Sequence, residues 1–439
     1  MYEEVKFGKI VLRSWMIFID KAYLRETLKD YAVPKGFTIT VVAADSKRYT
    51  VTCLAQCCEW RLHASRLPDG KTWAIKKIWP DKQATLYRLK RYVVQEIFGG
   101  HYESYNHLPR YAEVIMSTNP GSKAFVAWHE SETIPRVNLF SSIFISFAGQ
   151  WQGFLAGCRP LIGVDGAHFK GNYGGILLSD VVLDGNNEIY PVAYAVGVDV
   201  ALKTVWPEAK RRYCCRHLSR NYKKAFPGPL MYTLFWRACN ATNKFTFRKA
   251  MERLQKEGGE DVMTWFAALG HQSKWSKHRF DPNVCNDSNT SNFVESFNST
   301  RGPDRCRPVL TLLEGIRRVC MVRIASRHEA AMDLNNDELC PKIARLVREI
   351  SKASTTCRAF QSSPGEYEIH EGKSQFPLSL NSKICSCGAW QLSGIPCRHA
   401  IRAMTHAKVD PHNYVSSWYS AQTYKKVYSH CITPIPDLS

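Results

Sequence analysis

The sequence contains no long hydrophobic run. Stretches such as Ile143 to Phe147 fall far short of the ~20 apolar residues that a membrane-crossing helix needs. No signal-peptide core follows the acidic start Met1-Tyr2-Glu3-Glu4, so the expectation is a protein that stays inside the cell, with no membrane partner. Acidic residues are also in short supply. Asp and Glu number 39 against 59 Lys and Arg, a formal net charge of +20, and that imbalance points to a polyanionic partner, most often nucleic acid. Internal repeats and low-complexity tracts are missing, which excludes repeat architectures. What the chain does have is apolar content, 45% of its residues, as in ordinary globular proteins. It also has 16 cysteines. A chain of 439 residues buries a sizeable core without covalent staples, so a small disulfide scaffold is excluded. In a reducing compartment such cysteines are core residues, metal ligands or redox groups.

Length alone predicts roughly three folded units. The β-branched stretch Phe37 to Val51, broken at Asp45-Ser46, reads as a hairpin, and Trp73 to Trp79 reads as a second β stretch ending at Pro80. A helical passage from Leu86 to Phe98, closed by Gly99-Gly100, and loops marked by Asn119-Pro120-Gly121 read as a connector. Apolar β runs follow at Pro160 to Asp165, Gly175 to Leu183 and Glu188 to Val198, the last two joined by the tight-turn sequence Asp184-Gly185-Asn186-Asn187. From Trp206 the pattern is helical, interrupted at Pro227-Gly228-Pro229 and at the polar loop Asp281 to Ser291. One amphipathic helix spans Val309 to Arg327, with Leu312, Leu313, Ile316, Val319 and Arg323 on one face and Arg317, Arg318 and Arg327 off it.

The sharpest chemical signal lies near the C-terminus. Cys385, Cys387, Cys397 and His399 follow the order C-x-C-x9-C-x-H, and four sulfur and nitrogen ligands are what tetrahedral zinc takes. With no position left open, such a site is structural and supports a domain too small to fold alone. The bland alternative is a set of unconnected buried groups. The segment CSCGAWQLSGIPCRHAI resembles the SWIM-type zinc finger. Together with YVSSWYSAQTYKKVYSHCITPIP it is similar to the end of plant Mutator-like, MuDR-type transposases.

That resemblance extends along the chain. GCRPLIGVDGAHFKGNYGGILLSDVVLDGNNEIYPVAYAVGVD resembles the first three strands of an RNase H-like nuclease core, and NTSNFVESFNSTRGPDRCRPVLTLLEGIRRVCMVR resembles its third acidic segment. The family cuts DNA with three carboxylates that hold two divalent ions. The resemblance assigns the first to Asp165 and the third to Glu295, and implies magnesium or manganese if that core is active. The second aspartate belongs just before ALKTVWPEAKRRYCCRHLSRNYKK, yet Asp199-Val200 runs directly into Ala201. Its strand is missing at that join, so strand transfer is not expected. Cys214-x2-His217, a spacing that recurs in the family, reads as a buried packing pair. The cations Lys210, Arg211, Arg212, Arg216, Arg220, Lys223 and Lys224 form a run whose usual explanation is a solvated face, but with no acid after Glu208 they read at least as well as phosphate contacts.

At the other end, RYTVTCLAQCCEWRLHASRLPDGKTWAIKKIWPDKQAT resembles the WRKY-like DNA-binding finger of the same family. Cys53 and Cys58 match its first ligand pair and remain a weak metal pair, because Lys82 and Ala84 stand where the family has His-x-Cys. Cys57 and His63 are the local substitutes. Arg61, Arg66, Lys71, Lys76 and Lys77 are expected to contact phosphates that fix position without reading bases.

The expected class is therefore α/β (α+β multidomain). Residues 15–85 form a degenerate finger, 86–156 a largely helical connector, 157–331 an interrupted RNase H-like core with a helical insertion, and 332–439 a C-terminal region with the SWIM finger at about 375–408. The expected function is a nuclear, zinc- and DNA-binding protein derived from a transposase. Two alternatives stand beside it: an active enzyme whose printed sequence lacks an exon, and an adaptor that binds protein through the SWIM module.

Overall fold

The computed structural model describes residues 10–33, 37–54, 58–79, 101–131, 136, 138–169, 175–197, 209–300, 305 and 307–436. The chain divides into two compact units, 1–99 and 100–439. Both combine helices with antiparallel sheets, an α+β architecture.

In the N-terminal unit, β1 (Ile17–Phe18), β2 (Ile39–Ala44), β3 (Arg48–Cys53), β4 (Arg61–Arg66) and β5 (Trp73–Trp79) form a sheet in the order β1-β5-β4-β3-β2. The β2–β3 turn is set by Asp45, whose carboxylate accepts the backbone N–H groups of Lys47 and Arg48. Those bonds, with the Arg48 side chain, hold its pKa down at about 2. Helix α1 (Lys21–Ala32) starts at Asp20, whose side chain caps the N–H of Tyr23. Leu24 and Leu28 on that helix meet Phe18, Val51, Leu62, Ile75, Trp60 and Trp73 in one core. β4 was not legible as a strand: its alternation rests on Leu62 and Ala64, set among basic and polar residues.

The larger unit is built on β6 (Lys123–Glu130), β7 (Asn138–Ser146), β8 (Gly163–His168), β9 (Ile176–Leu183) and β10 (Ile189–Gly197). They are ordered β6-β7-β10-β9-β8, with every pairing antiparallel. The expected runs at 160–198 become β8, β9 and β10, and the turn at 184–187 carries Asn187 at φ 55°. Residues 86–156 differ from a plain connector. Their helix at 86–98 lies outside the described residues, while 123–146 supplies two strands of this sheet, a pattern blurred by the exposed Phe125, Trp128 and Phe144.

Around this sheet lie α2 (His101–Asn106), α3 (Leu108–Thr118), α4 (Ala148–Gly157), α8 (Asn292–Thr300) and α9 (Val309–Met332). In chain order between β10 and α8, the helices α5 (Cys215–Ala225), α6 (Pro229–Asn240) and α7 (Lys244–Ala268) close over their own aromatic core of Tyr222, Phe235, Phe266 and Trp275. On α9 the expected apolar face is buried, but Arg317 is buried with it, at 4% exposure. Its guanidinium grips Glu314 through two hydrogen bonds of 2.8 and 2.9 Å, which satisfies the charge.

The C-terminal part comprises α10 (Pro341–Ser354), the sheet β11 (Arg358–Ser363), β12 (Glu366–Glu371), β13 (Ser374–Ser379) and β14 (Ile384–Cys385), then α11 (Ala389–Ser393), α12 (Arg398–Ala407) and α13 (Ala421–Val427). It shares one hydrophobic core with the larger sheet. Gly149, Gly153 and Gly157 line one face of α4, and a Cβ on any of them would strike Cys431, Val427 or Thr423. The returning tail therefore packs directly on that helix, and the Tyr428 hydroxyl donates to the buried Asp184 carboxylate at 2.7 Å. Among the described residues no helix is long and apolar enough to cross a membrane.

Candidate metal centre and nucleic-acid interface

Cys385 ends β14, Cys387 follows in the turn, Cys397 caps α12 and His399 lies in its first turn. Their ligand atoms all fall within 4.8 Å of one another. Cys385 and Cys397 Sγ lie 3.6 and 3.9 Å from His399 Nδ1. Zinc bonds of ~2.3 Å to sulfur and ~2.0 Å to nitrogen at tetrahedral angles give sulfur–nitrogen edges of about 3.6 Å, so the four residues fit zinc. Crowding sets the thiols apart: hydrogen bonding from Cys387 pushes the Cys385 thiol up, while Cys385 and Cys397 pull the Cys387 thiol down. A divalent cation is what lets all three serve as thiolates together.

The surroundings prepare the site. With Nδ1 turned to the sulfurs, His399 donates from Nε2 to Glu371 Oε2 at 3.0 Å, and Arg398 holds the same oxygen at 2.9 Å. Phe376 stacks on the imidazole with centroids 4.0 Å apart. Burial opposes protonation of His399, yet Cys387, Cys397 and Glu371 together raise its pKa to about 10. Gly388 takes φ +79°, and a Cβ there would meet the Thr242 carbonyl oxygen at 2.1 Å. This close approach lets Thr242 Oγ1 and Asn243 Nδ2 donate to the Cys387 carbonyl at 2.7 and 3.3 Å.

A second cluster forms where α8 lies on the sheet. Asp165 sits on β8 and Glu295 on α8, and Asn298 Nδ2 donates to the Asp165 carbonyl at 3.4 Å. Burial raises the Asp165 pKa, helped by the charge of Glu295 and opposed by His217. Glu295 is 3.3 Å from Arg216 and 3.8 Å from His217. The expected buried pair of Cys214 and His217 is not found: Cys214 is half-buried, and His217, exposed at one edge, is turned toward Glu295. Among the described residues no three carboxylates lie close enough to share an ion. Asp199 lies outside them.

The basic residues divide by environment. Arg212 is tucked over the Phe280 ring at 3.9 Å and donates to the Asn286 carbonyl at 2.7 Å, and burial lowers its pKa to about 10. It braces the loop and is not available to phosphate. Arg216 is committed to Glu295 and Asn292, and Lys210 reaches Asp281 at 3.3 Å. Arg211 is exposed. Arg220, Lys223 and Lys224 line an open groove with His217 and Asn221. In the N-terminal unit, Arg61 and Lys77 flank the Trp79 ring at 5.5 and 4.6 Å, and Lys76 lies 4.1 Å over Trp15. Cys53 and Cys58 pack into that unit's core. No third metal-ligating group joins them among the described residues; Cys57, Lys82 and Ala84 lie outside the latter.

Family comparison bears on both ends of the chain. The profile described as MuDR family transposase matches residues 10–75, and that of the SWIM zinc finger matches residues 374–408. Together the two matched segments are similar to a Mutator-like transposase that ends in a SWIM finger. No curated protein and no solved structure matches the chain. Within the SWIM finger, sequence reasoning named the four residues that cluster here but missed Glu371. Its signal, an acid on the strand before the motif, gains meaning only once β12 pairs with β13 and brings it to His399.

Proposed function

We propose that this is a nuclear, zinc-stabilised DNA-binding protein derived from a Mutator-like transposase and lacking strand-transfer activity. The observation that carries the last point is the setting of Glu295, which pairs with Arg216 and lies beside His217 and Cys214 where a nuclease would gather carboxylates around metal ions. The meander β8-β9-β10 with α8 against it supports an RNase H-like core, and the aromatic-flanked cations of the N-terminal sheet support a WRKY-like finger that grips phosphates. Magnesium or manganese has no role in this reading.

The test is purified full-length protein with terminal-repeat DNA and magnesium or manganese. The expected result is DNA binding that weakens steeply with salt and no nicking or joining. Nicking that disappears in Asp165→Ala would overturn the assignment. Salt-insensitive or absent DNA binding would favour a protein-binding adaptor. A fluorescent fusion excluded from nuclei would contradict the nuclear location. The second reading, an active transposase, draws on one feature: among the described strands β8 pairs on one side only, where a further strand with its acid would fit. Sequencing the transcript across Val200 and Ala201 decides it, since an in-frame exon carrying an aspartate there restores the enzyme.

A further inference from the structure

Cys214, His217 and Glu295 form a second group with metal-ligating chemistry, apart from the SWIM finger. Cys214 caps α5, His217 lies one turn further on, and Glu295 comes from α8. One ligand atom of each lies within 4.8 Å of the other two. The loop before α8 fixes the approach: the Cys215 N–H donates to the Asn289 carbonyl at 2.8 Å, and the Ser291 N–H donates to Cys214 Sγ at 3.3 Å.

A second observation is independent of that spacing. Glu295 Oε1 is buried and makes no hydrogen bond among the described residues, and neither do Ser291 Oγ and Asn298 Oδ1 nearby in the chain. Burying a polar atom without a partner is unfavourable, and more so for a charged one. Arg216 takes the other carboxylate oxygen, so Oε1 is left facing His217 and Cys214. A cation between them would satisfy it.

We propose that Cys214, His217 and Glu295 bind one zinc ion. A thiolate, an imidazole and a carboxylate are a borderline donor set that suits zinc, whereas magnesium demands near-octahedral oxygen. Three protein ligands leave a fourth position for water or an anion, and Asp165 is close enough for its charge to reach both His217 and Glu295. The acid that resemblance assigns to DNA cleavage is then a zinc ligand. The proposal does not depend on whether the protein binds DNA.

The experiment measures metal content of the full-length protein by mass spectrometry after zinc loading, then repeats the count with cobalt, whose thiolate absorption reports Cys ligation. Cys214→Ser, His217→Ala and Glu295→Gln are each expected to lose one equivalent per chain relative to wild type, so that metal elsewhere cancels. Wild-type content in all three overturns the proposal. Should Cys214→Ser or His217→Ala lose every equivalent through misfolding, Glu295→Gln, which keeps size and shape, decides alone. As a separate arm, a variant with Cys385→Ser, Cys387→Ser and Cys397→Ser, which removes every thiolate of the SWIM cluster, is expected to retain one cobalt with thiolate absorption that Cys214→Ser in the same background removes. Failure of Cys214→Ser to remove it also overturns the proposal.

Discussion

Removing Glu371 tests how much of the SWIM finger's affinity for zinc comes from beyond its four ligands. In Glu371→Ala, His399 Nε2 loses an acceptor at 3.0 Å and Arg398 loses its partner at 2.9 Å. The imidazole then keeps only the Phe376 stack and the sulfur side of the site to orient it, with nothing accepting from Nε2. Loss of such an outer partner costs 10–100-fold in metal affinity, about 1.4–2.7 kcal/mol. The carboxylate is 23% exposed and shared with Arg398, so water replaces part of what is lost and the lower half of that range is expected. Glu371→Gln, which keeps an acceptor oxygen but no charge, should fall between wild type and alanine. Competition against a chromophoric chelator at pH 7.5 reads the affinity directly. An alanine variant within twofold of wild type would refute the reasoning, because the orienting bond would then contribute nothing.

Other expectations follow from burial and charge. Burial alone holds the Asp180 carboxyl up at about 6 against its ordinary 3.8. The folded state thus binds the proton more tightly than the unfolded chain, and stability falls between pH ~4 and ~6 and stays low above it. Two units at ~1.4 kcal/mol each give about 3 kcal/mol, so Asp180→Asn should be more stable by up to that amount at pH 7.5 and not at pH 4, as read by urea unfolding at both. Gly388→Ala forces a positive φ and a clash with the Thr242 carbonyl; a loss of at least ~1 kcal/mol with weaker zinc retention is expected, and an unchanged melting curve would contradict the close packing. Replacing Arg220, Lys223 and Lys224 by alanine should flatten the slope of log K against log salt by up to roughly 2.7, about 0.9 for each phosphate that is no longer neutralised. DNA titrations at several salt concentrations check it, and an unaltered slope would place the DNA elsewhere.

How much of this was visible beforehand depended on sequence distance. The SWIM ligands sit within one short segment, where spacing alone carries geometry. Glu371 is 28 positions from His399 and looks like any solvated acid until β12 and β13 pair. Cys214 and Ser291, 77 positions apart, meet only because the helical layer folds back on α8, so the pairing with Glu295 could not be read from Cys-x2-His. Arg212 and Arg317 mark the limit of charge patterns. One is absorbed by an aromatic ring and a carbonyl, the other by Glu314, and nothing in a basic run or a helical period distinguishes them from solvated neighbours. Strands β6 and β7 were hidden by exposed aromatics that break the alternation of a half-buried strand.

The tail that lies on the glycine face of α4 also sets an order of events during synthesis. Asn119 Nδ2 donates to the Thr433 carbonyl and its Oδ1 accepts the Thr433 N–H, a pairing across 314 positions. At ~5–20 residues per second, a ribosome needs roughly 15–60 s to travel between them. Throughout that interval the nascent sheet is made but α4 still shows its bare glycine strip to the cytosol, so chaperone occupancy should peak there and end with release of the finished chain.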